Sequence, residues 1–167
     1  MALREILHWP DPRLSVVCTS ATVDDFTLTL ARDMLETMYA AQGRGLAAPQ
    51  VGVLVRVIVM DATWKSEAAT PEVFINPEII WRSDTTAVGP EGCLSIPKAV
   101  TEVARATEII LRWIMPDGAI AAQKITGFRA ICVQHEIDHL DGILTLDRLS
   151  PEARAVAEAQ AAAQADE

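Results

Sequence analysis

With 167 residues, 50% of them hydrophobic and 22% charged, the chain is long enough to bury a core of its own, which predicts one domain over 1–167 and excludes a scaffold dependent on disulfides. Its 23 acidic and 14 basic residues give a net charge of -9, which excludes a general electrostatic attraction to nucleic acid or to anionic membranes. Cys18, Cys93 and Cys132 include no Cys-x-x-Cys pair, residues 1–10 are too poor in apolar length for a signal peptide, and no stretch could span a bilayer; a reducing, cytoplasmic setting is expected.

In chain order, Pro10-Asp11-Pro12 followed by Leu14, Val16, Val17 and Cys18 predicts an extended arm with a short turn. Phe26, Leu30, Ala31, Met34, Leu35 and Met38 then recur at helical spacing behind Asp24 and Asp25, with Gly43 beyond them, which predicts a helix over 25–41. Next comes Gly43-Arg44-Gly45-Leu46-Ala47-Ala48-Pro49-Gln50-Val51-Gly52. Its bare backbone, expected to be unpaired, admits close approach of another chain. The stretch lacks the Lys-Ser/Thr ending of a phosphate loop.

Residues 53–60 read as a buried strand broken only by Arg56, 61–71 as a surface loop, and 73–75 and 78–81 as short strands on either side of Asn76-Pro77. Residues 89–97 form a segment bounded by Gly and Pro that carries Cys93. Strands over 100–103 and 108–115, a tight turn at Pro116-Asp117-Gly118 and a returning strand over 119–126 predict a hairpin that leads into a helix between Gly127 and Gly142. Ser150-Pro151-Glu152 starts an alanine-rich C-terminal helix over about 152–167. Short strands followed by a helix, without regular alternation, predict an α+β fold: short antiparallel strands packed around a central metal-binding helix, with a C-terminal helix.

That central helix carries Gln134-His135-Glu136-Ile137-Asp138-His139. Residues four apart are rotated by only about 40°, so His135 and His139 share a face and can share an ion. Glu136, rotated by about 100°, is poorly placed as a ligand but can reach a water at that ion, the position of a general base. Ala130, Val133, Ile137 and Leu140 form one apolar stripe and Phe128, Ile131 and Cys132 another, so the helix is expected to be buried, with Gln134, Asp138 and Asp141 as its polar line. Two imidazoles leave a metal short of a ligand, which draws attention to Cys93.

The segments GRGLAAPQ, EGCLS and QHEIDH, in this order and spacing, resemble the peptide deformylases, and the similarity runs from Ile6 to Ser150. The resemblance implies a metal-dependent hydrolase that removes the formyl group from the initiator methionine of new bacterial or organellar polypeptides, releasing formate. It implies Cys93, His135 and His139 as ligands of one divalent ion, typically Fe2+, with zinc, nickel or cobalt as substitutes. Glu136 becomes the general acid and base, and the Gln50 amide and Leu94 N–H become donors to the oxyanion.

Gly43, Arg44 and Gly45 would pair with an extended peptide, and Leu94, Ile131, Cys132 and the His135 ring edge would take the methionine side chain. Glu91 would stand behind the ligands, paired with Arg105. Three positions depart from the family: Arg44 and Val100 stand where an aliphatic residue and an arginine are usual, and Ala104 replaces a proline. N-formylmethionyl nascent peptides are the implied partners, without specific nucleic acid or membrane binding. No Lys or Arg follows Arg154, so contact with the ribosome through the tail is not expected. A deformylase-like paralogue with altered substrate preference is the alternative. A zinc peptidase fits less well, because no His follows His139 to complete its site.

Overall fold

Asp24 starts the first helix: its carboxylate accepts the Thr27 N–H at 2.9 Å, and α1 runs Asp25–Ala40. In this computed structural model, which describes residues 2–163, α1 buries Leu30, Ala31, Met34 and Met38 against a five-stranded antiparallel sheet. The sheet consists of β1 (Gly45–Ala47), β2 (Val57–Met60), β3 (Glu72–Arg82), β6 (Glu108–Ile114) and β7 (Ile120–Thr126), hydrogen-bonded in the order β1-β2-β3-β6-β7. Between β3 and β6 the chain forms a separate two-stranded sheet from β4 (Thr86–Cys93) and β5 (Ile96–Ala106). Helices α2 (Gly127–Leu140) and α3 (Pro151–Ala162) follow.

All four residues of β2 are buried because both faces of the sheet are covered. Side chains alternate along a strand, so Val57 and Val59 pack on the α1 side while Ile58 and Met60 join Ala130, Val133, Ile137 and Leu140 of α2. A third cluster, Leu14, Ile96, Ala99, Leu144, Leu146 and Ala157, ties the N-terminal arm and α3 to β5. The fold is α+β with antiparallel sheets and a C-terminal helix, as expected.

Four local expectations change. The strand expected over 53–60 begins only at Val57, because Val53 N–H turns back to the Ala48 carbonyl at 3.1 Å behind Gly52, whose φ is 79°. Arg56 leaves the run to donate to the Leu140 carbonyl at 3.0 Å and pair with Asp141, placing a cation at the C-terminus of α2. The two strands expected around Asn76-Pro77 are one strand with a register shift between Ile75 and Glu78. Asn76, at φ 49°, replaces the missing ladder contacts with side-chain bonds to Ala21 N–H and C=O at 2.7 and 2.9 Å.

Residues 86–93 pair with β5 although Gly89, Pro90 and Gly92 hide the strand pattern. Finally, Phe128 is 50% exposed, and two of the three residues of the expected polar line are buried while Asp141 is exposed: Gln134 bonds both backbone groups of Ala106, and Asp138 is enclosed by arginines. Of the helix expected over 152–167, residues 164–167 lie outside the described residues.

Candidate active site

The imidazoles of His135 and His139 emerge from adjacent turns of α2 with centroids 5.1 Å apart. Cys93, at the end of β4 beside the Leu94–Ser95 turn, places its Sγ 3.4 Å from His139 Nε2, and ligand atoms of all three residues lie within 4.8 Å of one another. A tetrahedral ion with bonds of about 2.3 Å to sulfur and about 2.0 Å to imidazole nitrogen spans an S–N edge of about 3.5 Å. The donor set therefore fits one metal ion.

Behind it, His135 Nδ1 lies 2.9 Å from Glu91 Oε1, which directs the other ring nitrogen at the cysteine side. Arg105 bonds both oxygens of Glu91 at 2.9 Å and reaches Asp138 Oδ2 at 2.5 Å, and Arg148 closes the chain on Asp138 at 2.6 and 2.7 Å. Burial alone would raise Glu91, but Arg105 and His135 hold it at about 2. Burial above all keeps His139 well below the ordinary histidine range, which leaves it neutral as a ligand must be.

Glu136 is 5% exposed, and burial pushes its carboxyl up to about 7. One of its oxygens, Oε2, is enclosed with no hydrogen-bond partner among the described residues. Its other oxygen packs against Gly45 so closely that a Cβ there would lie 2.5 Å from it. Gly43 makes the same kind of approach to Leu94, at 2.6 Å from Cδ1. Gln50 is oriented by its neighbours: Oε1 accepts the Ala47 N–H at 2.9 Å, so Nε2 faces Ser95 Oγ at 3.0 Å and Cys93 Sγ at 3.8 Å.

These groups open onto a cleft of about 730 Å³ whose wall includes Ile131, Cys132 and Phe128. Burial pushes the Cys132 thiol up to about 12, so it serves as an un-ionised apolar surface. Val100, 66% exposed, lines the same cleft.

The glycine stretch is not unpaired as expected. Gly43 N–H donates to the Met38 carbonyl at 2.9 Å, its C=O accepts the Trp64 indole N–H at 2.9 Å, and the Arg44 C=O accepts Asp61 N–H at 2.9 Å. Since Arg44 carries that ladder bond and Gly45 stands opposite Met60, antiparallel alternation turns the N–H and C=O of Gly45 toward the free edge of β1. Of residues 43–45, Gly45 is the one whose backbone is open to another strand.

Ser95, Asp138, Arg148 and Trp64 were not anticipated at the site. Ser95 and Asp138 lie inside the motifs, whereas Trp64 sits 21 positions from the carbonyl it bonds and leaves no local signal. Glu158, an acid downstream of His139, is bound to Arg154 in α3 and stands outside the donor group.

The family model for polypeptide deformylase matches residues 3–155. The chain belongs to the polypeptide deformylase family. A peptide deformylase of Phenylobacterium zucineum is 50% identical over 151 residues, covering 90% of this chain and 89% of that protein. One from Alkalilimnicola ehrlichii is 54% identical, covering 90% and 84%. Among solved structures, a Legionella pneumophila peptide deformylase superposes with a TM-score of 0.92 at 38% identity, covering 98% and 96%. A complex of the Ehrlichia chaffeensis peptide deformylase with actinonin gives a TM-score of 0.92 at 37% identity, with 98% of each chain covered. The deformylase match spans the three segments that meet at the cleft, and the likeness to the solved deformylases covers both sheets and α2.

Proposed function

We propose that this deformylase, acting as a single catalytic domain over 1–167 in the bacterial cytoplasm, releases formate from the N-terminal formyl-methionine of newly made polypeptides. The observation that carries this is the convergence of Cys93, His135 and His139 within 4.8 Å, beside a buried glutamate, at the floor of an apolar cleft. A divalent ion held by these donors supplies Lewis acidity and acidifies water. One thiolate among imidazoles suits Fe2+, for which zinc, nickel or cobalt can substitute.

Glu136 takes the proton of the attacking water and returns it to the leaving amine, a role suited to a carboxyl whose burial brings it to about 7. The Leu94 N–H and Gln50 Nε2 donate to the oxygen on which charge develops; Ala47 holds the Gln50 amide in the required orientation. The peptide adds to the free edge of β1 through Gly45, with Gly43 and Arg44 shaping the approach. Leu94, Ile131, Cys132 and the edge of His135 take the methionine side chain. Glu91 keeps His135 turned for ligation.

The net charge of -9 supports a partner list limited to formyl peptides, without nucleic acid or a ribosomal contact through the tail. Among the described residues no helix is long and apolar enough to cross a membrane.

The test is formate release from formyl-Met-Ala-Ser by Fe2+-loaded protein under argon, alongside metal analysis of Cys93→Ala and His139→Ala. Formate production by the wild type and a large loss of metal in both variants are expected. Full metal retention in both would remove the site assignment, and a loaded but inactive wild type would remove the reaction.

A further inference from the structure

Glu136, Cys132 and Phe128 are spaced four apart on α2 and all line the cleft, so they mark successive turns of one helix face, about 6 Å per step. The chemistry lies at the first turn and the methionine wall at the second. The third turn lies about 12 Å from Glu136, between three and four residues along an extended peptide rising about 3.3 Å per residue, so an arginine side chain reaching back from there meets the second or third residue. There the Arg44 guanidinium lies over the Phe128 ring, 5.3 Å from its centroid.

Stacking engages the face of a guanidinium and leaves the in-plane donors of its two terminal nitrogens to form the fork that fits a carboxylate. Among the described residues no group accepts a hydrogen bond from the Arg44 side chain, and its Nε is enclosed without a partner. Among the described residues that line the cleft, Arg44 and Lys65 are cations that are not buried, whereas the two acids, Glu91 and Glu136, are buried. In a chain of net charge -9, that local reversal directs anions to the cleft.

We propose that Arg44 is a specificity-determining residue that selects formyl-methionyl peptides carrying an acidic side chain at the second or third position. The proposal rests on the deformylation reading above. The selection acts on binding, so it appears in KM and leaves kcat little changed.

The experiment compares kcat/KM for formyl-Met-Asp-Ala, formyl-Met-Ala-Asp, the two corresponding Lys peptides and neutral formyl-Met-Ala-Ala. It uses metal-loaded wild type, Arg44→Lys, Arg44→Gln and Arg44→Glu, each at low and high salt. The wild type is expected to favour one of the Asp peptides over its Lys counterpart by up to about fivefold, the range of a solvent-accessible ion pair. Arg44→Lys should keep the direction of the preference, Arg44→Gln should lose it and Arg44→Glu should reverse it. High salt should erase it in the wild type, a readout that needs no variant. An Asp-to-Lys ratio unchanged between wild type and Arg44→Gln, or indifferent to salt in the wild type, overturns the proposal. Failure of the wild type to deformylate the neutral peptide overturns the deformylation reading instead.

Discussion

At the scale of single residues, Glu136 and Gly45 form one unit. The carboxylate is held by packing, with Gly45 against one oxygen and no hydrogen-bond partner for the other among the described residues, so its position depends on the absence of a side chain on β1. Glu136→Gln is expected to bind metal normally and to lose about 10² to 10⁴ in kcat, because the amide cannot take the proton; metal analysis paired with formate release checks this. Gly45→Ala puts a methyl 2.5 Å from Oε1 and 3.0 Å from Cδ of Glu136. The enclosed carboxylate must then shift, and a fall in kcat with unchanged metal content is expected. Retention of wild-type kcat in Gly45→Ala would mean that the glutamate has freedom that its packing denies. The types of these residues were legible in the chain, but their contact was not, since 91 positions separate them.

At the scale of elements, the loop after β2 supports the β1 edge at which the peptide is proposed to bind. Asp61 is fully buried and accepts the Thr63, Trp64 and Thr70 N–H groups and the Tyr39 hydroxyl. This arrangement fixes Trp64, which meets Tyr39 edge to face at 5.2 Å and donates its indole N–H to Gly43 C=O. Gln42, at φ 60°, lies just before that carbonyl. A residue in this conformation needs support from its neighbours. Trp64→Phe keeps the ring but removes the donor, so it is expected to raise KM for formyl peptides several-fold with kcat and metal content little changed. Steady-state kinetics of the loaded variant decide it, and an unchanged KM would show that the loop does not govern the edge. Sequence reading placed a surface loop at 61–71, and surface it largely is. Its function was hidden because its key bonds join side chains to backbone, and a backbone carbonyl has no residue signature.

At the scale of the whole molecule, two layers meet at the metal donors. The five-stranded sheet and α2 form one, and the β4–β5 pair forms the other; Arg105 joins them by bonding Glu91 of β4 and Asp138 of α2. Arg105→Met leaves Glu91 buried without its arginine and leaves Asp138 to Arg148 alone. A destabilisation of about 3–5 kcal/mol is expected, with weaker metal retention because His135 loses its fixed partner. Denaturant unfolding and metal affinity measure the two effects, and a change in stability alone would confine Arg105 to the fold. The sequence by itself determined the helices, because a period of 3.6 residues is a local signal in α1 and α2 and a capping aspartate marks the start of α1. It also determined the chemical types at the site, since His135, Glu136 and His139 stand within one turn and a half of helix. Only the tertiary structure decided that Cys93 Sγ approaches His139, that Asp138 is buried between two arginines, and that Gly45 rather than Gly43 presents its backbone to the free edge. Each of these depends on the packing of strands against a distant helix, and such non-local contacts leave no periodic trace along the chain.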